Sequence, residues 1–169
     1  FMKTYTIAEM AWSHTGSYNL AEEMLYGACK AGVNAISIHI TDMPTYMVKD
    51  YKCIVGTTLS DSADSKLSIY DYLDDINLSK DEWTRFSRKA EELGIDLIVM
   101  CNDQNSFIFS KKLNVKKYVV SAASFLEKDL IRNIVSYNKD IIIRSGGATL
   151  EEVDEILEFI YKIDANSKV

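Results

Sequence analysis

Short β-rich runs and helix-spaced runs take turns along this chain, and that alternation constrains its fold more than any single motif does. "TYTIAEM" and "NAISIHI" read as strands, and between them lies Tyr18 to Ala31, where Leu20, Met24, Leu25 and Ala28 fall at helical spacing. The pattern resumes with "KDEWTRFSRKAEELG", a helix ended by Gly94, and with the strand "DLIVMC". It continues as helix "QNSFIFSKKL", strand "KYVVSA", helix "FLEKDLIRNIVSYN", strand "DIIIRS" and helix "TLEEVDEILEFIYKI". Ser79 precedes Glu82 by three residues and Thr149 precedes Glu152 likewise, so two helices open on capping boxes that satisfy otherwise unpaired N–H groups. Nearly continuous apolar strands joined by helical crossovers imply a parallel sheet covered by helices. The expectation is an α/β fold of about five βα units in a single domain over residues 2–169. Pattern alone leaves an open sheet and an arc of a barrel equally available.

One long irregular segment interrupts the rhythm, from about Asp42 to Asn77. It carries the sole proline, Pro44, and the polar run "SDSADSKLS", and it predicts a loop over one end of the sheet with a short helix around Ile69 to Asp74. At 169 residues with 47% hydrophobic content, the chain has enough apolar material for one sizeable core. A net charge of −6 repels polyanions, and no Lys/Arg run interleaved with aromatics offsets it, so nucleic acid is excluded as an expected partner. Cys29, Cys53 and Cys101 are far apart and outside metal-ligand spacing, which suits a reducing cytoplasm and buried thiols rather than a disulfide framework. No apolar run approaches the roughly 20 residues of a membrane span, and the start has no signal-peptide pattern. Phe1 ahead of Met2 reads as a remnant before a native start at Met2.

"IAEMAWSHTGSYNLAEEMLYGACKAGVNAISI" resembles the first two strands of the sialic acid synthase family, whose members open on an Ala-Glu-Ile-Gly-x-Asn-His-x-Gly pattern. The likeness continues through "LSKDEWTRFSRKAEELGID" and through "SGGATLEEVDEILEFI", which is similar to the family's Ser-Thr-Gly-Met-Ala-Thr turn and its following helix. The resemblance implies a TIM barrel that condenses phosphoenolpyruvate with an N-acylmannosamine-type sugar, using a divalent metal such as Mn²⁺ or Mg²⁺. It implies that the strand ends Glu9, Ser37, Met100, Ser121 and Arg144 lie at the carboxyl side of the sheet, where such folds place their chemistry. Glu9 and His14 become candidate catalytic residues at the lip of a sugar site. Both also suit a purely structural role, Glu9 accepting loop N–H groups and His14 capping a backbone carbonyl.

The chain departs from its relatives where charge matters. The resemblance implies lysines at the ends of the second and fourth strands, and this chain aligns Ser37 and Val119 there. A small polar pair becomes Met100 and Cys101, and an acidic position becomes Ser124. Losing one preorganised electrostatic group typically costs about 10²- to 10³-fold in rate, so several losses together imply a degenerate site. Arg144 stands where the family has a small residue. With Ser145 and Gly146 it forms a candidate anion site above the Thr149 helix, or else it pairs with Asp103 or Glu9. His39 lies inside the second strand as a candidate binding residue or a barrel-lining side chain. The family's metal-binding histidines belong to later strands, so no metal ligand is expected here.

A closed barrel of this type takes eight βα units and about 250 residues. Five units leave two raw strand edges, which stable proteins cover or pair. The expected partners are therefore a second copy of this chain or a full-length synthase, besides a small sugar or anionic substrate. Three functions compete: a shortened synthase, a non-catalytic binding or assembly module, and a piece of a longer enzyme. Phosphoenolpyruvate binding separates the first from the second.

Overall fold

The computed structural model describes residues 4–49 and 68–169; Phe1, Met2, Cys53 and the polar run from Ser60 to Lys66 lie outside them. The chain runs β1 (Ile7–Ala11), α1 (Tyr18–Lys30), β2 (Ala35–Ile40), α2 (Met43–Tyr46), α3 (Ile69–Asp75), α4 (Lys80–Glu92) and β3 (Asp96–Cys101). It continues α5 (Gln104–Ser110), β4 (Val115–Val120), α6 (Lys128–Val135), β5 (Asp140–Ile143) and α7 (Leu150–Ile163). All described strand pairings are parallel and follow chain order, β1-β2-β3-β4-β5, as the alternation predicts. The expected short helix appears as α3. The proline segment adds α2, a single turn with Pro44 in its first positions, where the missing N–H costs nothing.

Both predicted capping boxes form. The Ser79 hydroxyl accepts the Glu82 N–H while the Glu82 carboxylate accepts the Ser79 N–H, and Thr149 and Glu152 do the same for α7. Helix α4 stops at Leu93 because Gly94 takes φ +68, which an L side chain resists. Helix α6 starts at Lys128, later than its apolar spacing suggests. The preceding residues turn instead, with the Ser124 N–H bonded to both the carbonyl and the hydroxyl oxygen of Ser121.

One sheet face takes the helices. Leu25, Trp83, Phe86, Phe107, Ile131 and Ile156 are fully buried against Ile36, Ile38, Leu97, Val99, Tyr118 and Val120. The opposite face is a smaller apolar floor of Ala35, Ile98, Met100 and Val119, with Ile142 against it. Every residue of β2 is buried, which is why its sequence shows no clean alternation. Of the described cysteines, Cys101 is buried as expected, whereas Cys29 is only partly covered, at the last turn of α1.

The sheet is strongly curved. Laid flat, four gaps of about 4.8 Å would hold β1 and β5 about 19 Å apart. Yet the Arg144 guanidinium, one residue beyond β5, donates to the Glu9 carboxylate in β1. The molecule is thus an arc of a barrel-like sheet whose small floor faces inward and whose helices lie outside. Along the outer edge of β5, the Ile141 N–H donates to the Lys168 carbonyl at 2.9 Å. No described helix is long and apolar enough to cross a membrane.

Candidate functional site

The carboxyl ends of the strands form the mouth of the arc, and the strand register decides which side chains meet there. Glu9 pairs with Ser37, and His39 with Met100, so Glu9, Ser37 and His39 share the concave face with Val119 and Ile142. Arg144 reaches the same place from the far edge. The structure therefore brings together four of the predicted residues: Glu9, Ser37, His39 and Arg144.

Glu9 is the hub. Its Oε1 accepts the Ala11 N–H at 3.0 Å and lies 3.4 Å from His39 Nε2, and its Oε2 accepts from Arg144. Burial pushes the carboxyl pKa up, but the nearby imidazole and the Ala11 N–H outweigh it and hold the value at about 2. Of the alternatives for Arg144, the ion pair with Glu9 is the one that forms. Asp103 is spoken for elsewhere. Buried, it accepts the Asp42 N–H and the Ser106 N–H at 2.8 Å each and the Thr45 and Ser106 hydroxyls, tying the β2 loop to the start of α5. At the start of α7 the capping box takes the N–H groups of Thr149 and Glu152, and Glu152 adds a negative charge beside the rest of the first turn.

The strand-to-helix turn "AWSHTG" is tightly determined. Ala11 and Thr15 both adopt left-handed backbone, at φ +47 and +46. Each costs a non-glycine residue about 1 kcal/mol or more. The turn is pinned by Ser13 N–H to Met10 O and Thr15 N–H to Trp12 O, both at 3.0 Å. Gly16 follows at φ +78, where an added Cβ would lie 3.1 Å from the Asp75 carbonyl oxygen. The kink at Ala11 turns that residue's N–H toward the Glu9 carboxylate.

His14 is 1% exposed, wedged edge-on to Trp83 with ring centroids 5.4 Å apart. Its Nδ1 accepts the Gly16 N–H at 3.3 Å, so the ring holds a turn amide rather than the carbonyl the sequence suggested. Burial lowers its pKa, and the neighbouring His39 lowers it further. His14 thus stands as a neutral prop behind the mouth, with Trp12 between it and His39.

Two buried polar atoms of the mouth, Ser37 Oγ and His39 Nε2, make no well-formed hydrogen bond among the described residues; the group beside them is the Glu9 carboxylate, whose Oε1 lies 3.4 Å from His39 Nε2. Trp12, partly exposed, meets the His39 ring at 89° with centroids 6.5 Å apart. Sequence reasoning passed over Trp12, and its only signal was an aromatic in the turn beside Glu9. Ser145 and Gly146 are exposed on the loop leading to α7, and no hydrogen bond joins them to Glu9, Ser37 or His39. Ser145 instead borders an apolar cavity of about 300 Å³ between the β5 edge and α7. Among the described residues, no group of three or more His, Cys, Asp or Glu side chains could hold a metal ion. Glu9 and His39 alone do not fit the divalent metal that the family resemblance implies.

A model of the NeuB family matches residues 24–169. The chain is 24% identical over 154 residues to the N-acetylneuraminate-9-phosphate synthase of Drosophila melanogaster, covering 91% of this chain and 41% of that protein. It is also 24% identical to the N,N'-diacetyllegionaminic acid synthase of Legionella pneumophila, over 98% of this chain and 46% of that one. Among solved structures, the N-acetylneuraminic acid (sialic acid) synthetase of Leptospira borgpetersenii, in complex with citrate, superposes with a TM-score of 0.77 at 16% identity. That match covers 96% of this chain and 51% of the other. The chain thus spans less than half the length of these two curated relatives.

Proposed function

Because the chain belongs to the NeuB family of sialic-acid-synthase-like proteins, we propose that its concave mouth binds a sugar of nonulosonic acid biosynthesis without condensing it. Phosphoenolpyruvate carries a phosphate and a carboxylate, and a partly dry site must neutralise both. One observation carries the reading of a degenerate site. The guanidinium at the mouth is already paired with Glu9, and the one lysine on the concave face of the described strands, Lys117, is bound to Asp140 at the other end of the sheet, 2.5 Å away. What remains, a carboxylate, an imidazole and a hydroxyl on one wall, suits the hydroxyl groups of a neutral sugar.

The reading places the protein in the cytoplasm, where such precursors are made, and gives it no step that consumes the enolphosphate. Incubation of the 169-residue chain with phosphoenolpyruvate, N-acetylmannosamine and Mn²⁺ is expected to yield no 2-keto acid, beside an active synthase as control. Product made by this chain alone would overturn the proposal.

A second reading, in which further βα units complete the barrel, is favoured by the backbone hydrogen bond from the Ile141 N–H to the Lys168 carbonyl, by which the outer edge of β5 accepts another stretch of chain. In that case activity would appear only when a polypeptide carrying the later strands is mixed in. The same keto-acid assay distinguishes the two readings.

A further inference from the structure

The turn between β1 and α1 is held in part by an acceptor that acid removes. Three of its amides bond to backbone oxygens: Ser13 N–H to Met10 O, Thr15 N–H to Trp12 O and Ser17 N–H to His14 O. The Gly16 N–H goes instead to a ring nitrogen, His14 Nδ1, its one partner among the described hydrogen bonds. A ring that accepts at Nδ1 carries its single proton on Nε2 and is therefore neutral. Protonation places a second hydrogen on Nδ1, and two N–H donors then face each other behind a side chain that is 1% exposed. Thr15 and Gly16 are consecutive left-handed residues, so this backbone is retained by its bonds rather than by its own preference.

The groups around the ring do not offset that loss. Trp83, packed on it from α4, and Trp12, in the turn, carry no charge. Glu82 on α4 favours a charged ring, but it is held by the Ser79 N–H and hydroxyl, and His39 on β2 opposes it. The Glu9 carboxylate is taken up by His39, Arg144 and the Ala11 N–H. Helix α3 meets the turn at Gly16 through the Asp75 carbonyl and Ile76, and neither Asp74 nor Asp75 hydrogen-bonds to the ring. From this geometry we propose that His14 is a pH-sensitive latch: protonation releases the Gly16 amide and slackens the turn, shifting Trp12 and the Ala11 N–H that Glu9 accepts. The mouth is set in neutral solution and loosened in acid, whatever it binds. Because the fold favours the neutral ring, the contribution of the latch is whole above pH 6.5 and is lost as pH falls below that value. Glu9 acts below pH 4.5, so the two windows are separate.

Two-dimensional ¹H–¹⁵N spectra of the full chain, recorded in half-unit steps from pH 7 to pH 4.5, test the latch. The Gly16 amide and the Trp12 indole N–H are expected to move with the midpoint of the His14 ring, and the Gly16 amide to lose at least about tenfold of its exchange protection relative to Ser17. H14Q, whose side-chain oxygen accepts an N–H but takes no proton, is expected to flatten both curves. E82Q and H39Q leave the ring in place and keep the test open if H14Q does not fold: the first lowers the midpoint and the second raises it. A Gly16 amide that stays protected while His14 titrates overturns the latch, and so does a ring that stays neutral down to pH 4.5. So do midpoints that neither E82Q nor H39Q moves. A Trp12 shift that persists in H14Q and vanishes in H39Q assigns the effect to His39, the only other histidine, and overturns it as well.

Discussion

Glu9 must stay charged to do its work, and its surroundings make that so. Its pKa of about 2 lies below the ordinary value of 4.5, so its contribution to stability is complete above pH 4.5 and disappears as pH falls toward 2. The thermal midpoint is expected to drop over that window, and the drop to be shallower in E9Q, as read by calorimetry at half-unit pH steps. Ala11 occupies the place of the family pattern's glycine, and its φ of +47 shows why glycine suits it. A11G is expected to raise stability by about 0.5–1 kcal/mol in urea unfolding, the relief of strain exceeding the entropy lost by the added freedom. Glu9 and Ser37 were named as strand ends through the family resemblance and His39 as a residue inside the second strand, and the alternation of side chains along a strand puts the three on one face. His14 was legible only as an alternative, since whether an imidazole faces a ligand or a turn amide depends on a left-handed backbone that no pattern announces. The Glu9–Arg144 pair likewise appeared only as one of two possible partners, because sequence spacing says nothing of how far a sheet bends.

Elements were read more securely than residues. Periods of 2 and 3.6 and the two capping boxes are local signals, and all five strands and the helices between them follow them. S79A removes the hydroxyl that accepts the Glu82 N–H and is expected to cost about 1 kcal/mol, measurable as a shift in the urea midpoint. The same change at Ser13, whose side chain caps nothing among the described hydrogen bonds, serves as the comparison. Helix α6 was misjudged at its start because Ser121 and Ser124 offer the backbone hydroxyl partners that compete with helical bonding. Helix α5 carries a device the alternation did not predict. Its cap, Asp103, also holds the Asp42 N–H and the Thr45 hydroxyl across the mouth.

For the whole molecule, the alternation of elements predicted a parallel sheet but left its curvature open, since strand patterns carry direction and facing, not radius. Curvature emerges from packing, where five helices, α1 and α4 to α7, cover one face and only a thin floor of small and medium side chains lines the other. β1 has one described neighbour, and β5 has β4 and the Lys168 carbonyl. Self-association through these edges is expected, so sedimentation at micromolar concentration should give a multiple of 19.2 kDa. A single species at that mass would contradict it. Because each strand pairs with the one synthesised just before it, a nascent chain can finish every pairing as it leaves the ribosome, with little entropy spent on distant partners. Glu9 is the exception: it must wait 135 residues for its guanidinium, so the arc closes last, and only once the fifth unit has been translated.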